Sequence, residues 1–445
     1  MDLEAIEKKP TTGKEKTAAG NYFVANYPPF SFWNTEDINQ VNQILESEAP
    51  TDVPLGIYYH IPFCRKRCHF CYFRVYTDKN AAQIASYLDA TLKELKTYAQ
   101  KPYLRSRKPK FIYFGGGTPS YLSAKQLTSL TDRMKAITPW DEVEEVTFEC
   151  EPGTLNEKKL EVIKNLGTTR LSLGIENFND HILEINGRAH RSKEVFRAYD
   201  HAKSLNFPQI NIDLIAGMVG ETDENWKECI SKTIELQPDS VTIYQMEIPF
   251  NTTIFKEMTA EGREVAPIAD WKTKRDWLNY GFEQLEGVGY KVTSGYTAVR
   301  DPKKTRFVYR DELWTGADLL ALGVASFGQI GGAHYQNITQ FDQYLSEIES
   351  DNLPVTRAFV TSQEEKMIRE LILQLKLGEV SNAYFKSKFD VDITQRFKAQ
   401  LEALSEHGWL EVKDDFLFLT RDALIRVDSL LHSFFLTKHQ NARYT

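Results

Sequence analysis

Between residue 55 and about residue 250, short apolar runs alternate with longer stretches in which apolar residues recur every three or four positions. The runs are "LGIYYHI" (55–61), "KFIYFGGG" (110–117), "EEVTFEC" (144–150), "RLSLGI" (170–175), "INIDLIAGM" (210–218) and "SVTIYQMEI" (240–248). Their length and β-branched or aromatic content predict strands. The intervening stretches predict helices. "AAQIASYLDATLKELKTYAQ" (81–100) places Ile84, Leu88, Leu92 and Leu95 on one face. "SAKQLTSLTDRMKAI" (123–137) begins at Ser123, a good N-cap, and "NEKKLEVIKNLG" (156–167) ends at Gly167. Further helical segments fall at 179–186, 192–205 and 223–237. Parallel strands need such crossovers, so the pattern implies an α/β fold: a parallel sheet or barrel with helices outside.

The flanks are patterned differently. Residues 1 to about 20 are charged and small, as expected of a flexible tail. "NYFVANYPPFSFW" (21–33) is aromatic and interrupted by Pro28 and Pro29, so an extended arm is expected there. The region 251–358 is mixed and extends the barrel. From 359 the order becomes helices, a hairpin in "WLEVKDDFLFLT" (409–420) turning at Asp414 and Asp415, and a last helix. That C-terminal unit, 359–445, reads as a winged-helix-like α+β domain. The expected divisions are 1–54, 55–250, 251–358 and 359–445.

Composition narrows the class. At 42% hydrophobic the 445 residues can build a large core. A net charge of −8 and a C-terminal domain without a basic helix face argue against nucleic acid. No apolar run spans a bilayer and no secretory h-region opens the chain, so a cytoplasmic protein is expected. Five cysteines are too few for a disulfide scaffold. The basic segments "RSRKPK" (105–110) and "RDPKKTRFVYR" (300–310) read as solvated loops, or as anchors for an anionic substrate.

Active sites of parallel barrels lie at the C-terminal ends of the strands, and the unusual residues collect there. The first strand leads into "YYHIPFCRKRCHFCYF" (58–73), with Cys64, Cys68 and Cys71 within eight residues. Three readings are open: buried free thiols, a zinc site completed by His60 or His69, or an iron–sulfur cluster with one iron left open. The flanking Arg65, Lys66, Arg67 and His69 are poor core material. "GGGTP" (115–119) follows the second strand and is either a tight turn or a backbone cradle for a ligand. Glu149 closes the third strand, where a lone buried carboxylate needs partners. Glu176 follows the fourth strand and Asp213 lies in the fifth.

Cys-x3-Cys-x2-Cys after a first barrel strand resembles the signature of radical S-adenosylmethionine (SAM) enzymes. "HIPFCRKRCHFC", "FGGGTPSYL", "EPGTL", "LSLGIENFN", "INIDLIAG", "LGVASFG" and "LTRDALIRVDSLLHSFF" are similar to the group holding oxygen-independent coproporphyrinogen III oxidase, the haem chaperone HemW and the HemN-like class C methyltransferases. The resemblance runs from about 55 to the C-terminus. It implies a partial (β/α)6 barrel, and a [4Fe–4S] cluster on Cys64, Cys68 and Cys71 whose open iron binds SAM. Reductive cleavage of SAM then yields a 5′-deoxyadenosyl radical. It further implies SAM contacts at Tyr58, Phe70, Gly116, Gly117, Thr118, Glu149, Arg188 and Asp213, and more loosely Phe327. A second SAM would use Thr118, Glu176, Arg188 and Asp213. The alternative for Arg188 and Asp213 is an internal salt bridge. A small-molecule substrate, an electron donor such as flavodoxin or ferredoxin, and a monomer are expected.

Three positions depart from the group. Glu176 stands where the group commonly has Gln, Met218-Val219 where Leu-Pro is frequent, and Phe73 where the porphyrinogen-decarboxylating members carry a further cysteine. The first expectation is therefore methyl or methylene transfer, cyclopropanation included, on an unsaturated intermediate with two SAM molecules. Oxidative decarboxylation of coproporphyrinogen III and haem delivery of the HemW type are the alternatives.

Overall fold

Each predicted strand forms within three residues of its expected ends: β1 Leu55–Ile61, β2 Pro109–Gly116, β3 Glu145–Cys150, β4 Arg170–Glu176, β5 Gln209–Ala216 and β6 Ser240–Gln245. The computed structural model describes residues 23–262 and 267–440; the expected N-terminal tail lies outside them. The strands pair in parallel in chain order. The helices between them fall where the periodicity puts them. Helix Ala81–Ala99 opens with a capping box on Asn80, and Ala124–Ile137 with one on Ser123. Ile84, Leu88, Leu92 and Leu95 are buried in one core with Ile57, Tyr59 and Phe114.

The region after β6 adds strands to both edges of this sheet. β7 (Lys291–Val292) and β8 (Thr297–Val299) join antiparallel beyond β6, and β9 (Asp318–Leu322) pairs in parallel with β1. β10 (Phe327–Ile330), β11 (Ala333–Asn337) and β12 (Val355–Val360) continue antiparallel from β9. The result is a 12-stranded open sheet in the order β12-β11-β10-β9-β1-β2-β3-β4-β5-β6-β8-β7, consistent with a partial barrel. Among the described residues no helix is long and apolar enough to cross a membrane.

The N-terminal arm lies along both parts of the molecule. Asn34 bridges to Ala358 on β12, while Val24 and Tyr27 are buried in the core of the C-terminal domain. The arm is not extended throughout, because Ile38–Leu45 forms a helix that buries Val41 and Leu45. In the C-terminal domain, helix Gln363–Leu375 packs on a three-stranded sheet of β13 (Glu379–Ser381), β14 (Leu410–Lys413) and β15 (Phe416–Leu419). Asp414 and Asp415 both adopt positive φ at the hairpin turn.

Candidate active site

Strand parity makes the inside of the barrel polar. On β4, Leu171, Leu173 and Ile175 are buried in the core beneath the helices, whereas Arg170, Ser172, Gly174 and Glu176 line the interior. Asp213 on β5, Tyr113 on β2 and Glu149 on β3 join them around a cavity of ≈ 420 Å³. The loop after β1 forms its rim: Cys64, Arg65, Lys66, Arg67, Cys68, Phe70 and Cys71 all line it.

The cysteine loop is held by its backbone. Cys64 N–H donates to Tyr76 O at 3.1 Å, Cys71 N–H to Cys68 O at 3.2 Å and His69 N–H to Asn186 O at 3.0 Å. Burial pushes the Cys64 thiol up to about 11 and the Cys71 thiol up to about 12. Donors already aim at the sulfurs: Thr118 Oγ1 at Cys64 Sγ and Arg188 Nη1 at Cys68 Sγ, each at 3.3 Å. Neither candidate fourth ligand for zinc joins the cavity lining. His69 Nδ1 lies 3.0 Å from Ile185 O, and His60 Nδ1 lies 3.2 Å from Tyr58 Oη. Among the described residues no three His, Cys, Asp or Glu side chains are arranged to hold a single metal ion. A polynuclear cluster holds its ligands farther apart, so three thiols spread around a rim suit it better.

The glycine turn fits against this loop without slack. Gly117 N–H donates to Ile61 O at 2.8 Å, and a Cβ on Gly117 would lie 2.9 Å from that oxygen and 3.1 Å from Cys64 Sγ. Gly116, at φ 113°, donates its N–H to Glu149 Oε2 at 3.3 Å. Tyr113 Oη donates to Glu149 Oε1 at 2.5 Å. Burial nevertheless lifts the Glu149 carboxyl to about 7.

Glu176 sits at a bulge in β4, in the left-handed region at φ 66°. A non-glycine residue held there by its surroundings is a frequent feature of functional sites. Its carboxylate pairs with Arg188 at 3.4 Å. Burial raises it to about 7 even though the Arg188 charge pulls the other way. The alternative pair of Arg188 with Asp213 does not form. Arg188 contacts Cys68, Gly174 O and Glu176, whereas Asp213 accepts from Ser172 Oγ at 2.9 Å and Asn211 Nδ2 at 3.0 Å. Burial raises Asp213, and the Arg170 charge and these hydrogen bonds offset part of the rise.

Eleven of the thirteen expected residues meet at the cavity: the three cysteines, Phe70, Gly116, Gly117, Thr118, Glu149, Glu176, Arg188 and Asp213. Tyr58 stands behind the lining, stacked on Tyr113 at 5.9 Å. Phe327 does not reach the cavity; its ring packs on the arm, 4.6 Å from Phe30 and 5.7 Å from Trp33. The basic segments are not anchors at the cavity either. Arg107 pairs with Asp318 at 2.6 Å, Lys110 with Glu312 at 2.7 Å and Arg300 with Asp239 at 2.7 Å. What the second segment contributes to the lining is Phe307.

Several residues of the site lay outside the expected set. Glu151 is joined by His190 at 3.1 Å and Arg65 at 3.2 Å; burial opposes its charge, yet these groups and Arg188 take it down to about 2. Arg170, Tyr113 and Tyr244 line the interior, and Phe23 of the arm and Asp428 of the C-terminal domain complete the wall. Strand parity alone marks Tyr113 and Arg170; the arm and C-terminal residues carry no local signal.

Residues 58–232 match the family model described as the radical SAM superfamily, and residues 361–425 match the HemN C-terminal domain. The heme chaperone HemW of Bacillus subtilis is 27% identical over 382 residues, covering 85% of this chain and 98% of the relative. The oxygen-independent coproporphyrinogen III oxidase of Escherichia coli is 24% identical, covering 99% of this chain and 96% of the relative. The solved structure of coproporphyrinogen III oxidase (HemN) from Escherichia coli superposes with a TM-score of 0.78 at 21% identity, covering 94% of this chain and 99% of that one.

Proposed function

The chain is a radical SAM enzyme of the HemN/HemW type, and from that premise we propose that it oxidatively decarboxylates a porphyrinogen-class polycarboxylate. The observation that carries this reading is the arm. Phe23 lines the cavity and Val24 N–H donates to Asp428 at 2.9 Å, so the arm is part of the wall. The Escherichia coli oxidase aligns through 99% of this chain, whereas the Bacillus subtilis chaperone and the Synechocystis oxidase each align through 85%. A cationic rim of Arg65, Lys66 and Arg67 suits a substrate with several carboxylates.

The superfamily implies a [4Fe–4S] cluster and SAM, and the residues present fit both. Cys64, Cys68 and Cys71 would hold the cluster, which with SAM supplies a hydrogen-abstracting radical when bound. Thr118 donates to the Cys64 sulfur and favours its thiolate form, and Arg188 donates to the Cys68 sulfur. Gly116 and Gly117 let backbone approach a ligand closely. Glu149, anchored by Tyr113 and Gly116, accepts from a ligand hydroxyl or amino group. Phe70, Tyr72 and Phe73 line the mouth and limit water. A flavodoxin or ferredoxin supplies the electron.

Methyl or methylene transfer, the first expectation, finds no counterpart in the two relatives described. One observation favours it as a second reading: Phe73, 44% exposed on the cavity rim, occupies the place where the resemblance implies a cysteine in decarboxylating members. Anaerobic incubation with coproporphyrinogen III, SAM and dithionite separates the readings. Decarboxylated product with 5′-deoxyadenosine supports the proposal. S-adenosylhomocysteine would move the assignment to methyl transfer, and tight haem binding without turnover to a chaperone.

A further inference from the structure

We propose that Arg170 is a carboxylate receptor at the floor of the cavity, its guanidinium binding a carboxylate of the molecule held above it. Arg170 opens β4 and is 2% exposed, yet it lines the cavity with Tyr113, Ser172, Thr242 and Phe307. Its internal partners do not use its donors. Nη1 reaches Ser172 Oγ only at 3.4 Å. That hydroxyl already accepts from Asn211 at 2.9 Å and donates to Asp213 at 2.9 Å. Nε is buried without a hydrogen-bond partner. No carboxylate of the described residues forms an ion pair with the guanidinium. The nearby acids are engaged elsewhere: Glu145 with Val308 N–H and Tyr309 N–H, Asp213 with Ser172 and Asn211, Glu149 with Tyr113 and Gly116.

A buried cation without an ion-pair partner is costly, and a guanidinium presents five donors in a planar fork matched to a carboxylate. Here the fork is set in place from one side. The centroid of the Phe307 ring lies 4.1 Å from the guanidinium carbon, a cation–π contact that covers one face of the fork and uses none of its in-plane donors. The site is also deep. Arg170 begins β4 and Glu176 ends it, so six residue steps of about 3.3 Å put the floor at most about 20 Å below the strand ends. A ligand reacting beside the cysteines can reach Arg170 only with an extended acidic arm. Two sources supply such a carboxylate, the substrate and the methionine part of a SAM molecule.

The test uses cluster-loaded protein and two ligand pairs in equilibrium binding: coproporphyrin III against its tetramethyl ester, and SAM against decarboxylated SAM. Only the first pair rests on the porphyrinogen reading. Arg170→Gln is expected to weaken coproporphyrin III by about tenfold or more with the ester unchanged, and Arg170→Lys, which keeps the charge but not the fork, by less. A loss confined to SAM and absent for decarboxylated SAM assigns the receptor to SAM. Wild-type protein that binds no coproporphyrin III breaks the porphyrinogen reading, and the SAM pair then decides the receptor by itself. Wild-type discrimination in both pairs, in every variant that loads its cluster, overturns the proposal; if Arg170→Gln does not load, Arg170→Lys decides by the same criterion.

Discussion

Lys376 in the C-terminal domain and Arg170 in the barrel are both buried cations, and they are partnered in opposite ways. Lys376 Nζ meets Asp428 at 2.8 Å and donates to Val24 O at 2.6 Å, closing a contact among helix Gln363–Leu375, the arm and the last helices. Lys388 likewise reaches Glu370 at 2.8 Å. In the barrel Arg170 has no ion-pair partner among the described residues, Glu149 and Glu176 are lifted to about 7, and the Cys64 and Cys71 thiols are raised as well. A low-dielectric interior penalises charge in both places. The C-terminal domain answers with internal pairs, whereas the barrel leaves donors and acceptors facing a cavity. The difference marks the barrel cavity as the candidate site, to whose wall the C-terminal domain contributes Asp428.

The largest effect is expected at the cysteines. Anaerobically reconstituted protein should carry about four irons and four sulfides. Cys64→Ala should lose them, whereas Cys150→Ala and Cys229→Ala, changed at buried thiols that are not part of the loop, should keep them. Iron and sulfide analysis decides, and a Cys64→Ala protein with full iron content would remove the cluster from that loop.

Next is the contrast between the two cations. Lys376→Met leaves the half-buried Asp428 without its charge partner; breaking a fully buried pair costs about 3–5 kcal/mol, and this one should approach the lower end. Arg170→Gln breaks no ion pair, so its loss should be clearly smaller. Thermal unfolding of both variants measures the gap. Equal losses would mean that Arg170 serves the apoprotein as fully as Lys376 does, against the comparison drawn above.

Much of this contrast was legible in the chain. Strand ends, the Ser123 cap and the turn at Asp414 and Asp415 followed from local pattern, because each is decided by a few neighbouring residues. Cys64, Glu149, Glu176 and Asp213 could be placed together because strand ends converge in a parallel sheet. Residues brought in by long-range packing could not. Phe23 and Asp428 reach the cavity wall from opposite ends of the chain, and Phe307 comes from a segment read only as basic. Phe327 shows the converse: its motif is local, but its ring packs on Phe30 and Trp33 of the arm rather than on the cavity. Arg170 opens a strand run read only for its apolar residues, although alternation along β4 puts it on the same face as Glu176.

Glu149 should come third. A hydrogen bond to a charged group contributes on the order of 1.5–3 kcal/mol. Glu149→Gln should slow SAM cleavage by roughly 10- to 100-fold, with iron content unchanged. Quantifying 5′-deoxyadenosine under dithionite checks this, and an unaltered rate would remove Glu149 from the cofactor contacts.

Glu176 carries the smallest expected effect, and it asks whether the barrel's open groups face a second SAM. Its carboxylate is already paired with Arg188 at 3.4 Å, so a ligand must share that pair. Burial has moved its pKa from the usual 4.5 to about 7. A carboxyl raised on folding contributes stability that is fully present below its unfolded value and is lost as pH rises through the folded one. In the apoprotein, Glu176→Gln should therefore gain in unfolding temperature relative to wild type between about pH 5 and about pH 8. A constant difference across that range would mean that Glu176 is charged throughout. On the ligand side, Glu176→Ala should weaken a second SAM by roughly tenfold while the first stays bound, since a carboxylate attracts a sulfonium and accepts from ribose hydroxyls. Equilibrium binding with a non-cleavable SAM analogue reads both sites. A stoichiometry of one, unchanged in the variant, would reduce Glu176 to the partner of Arg188 and make the barrel, at this one position, as closed as the C-terminal domain.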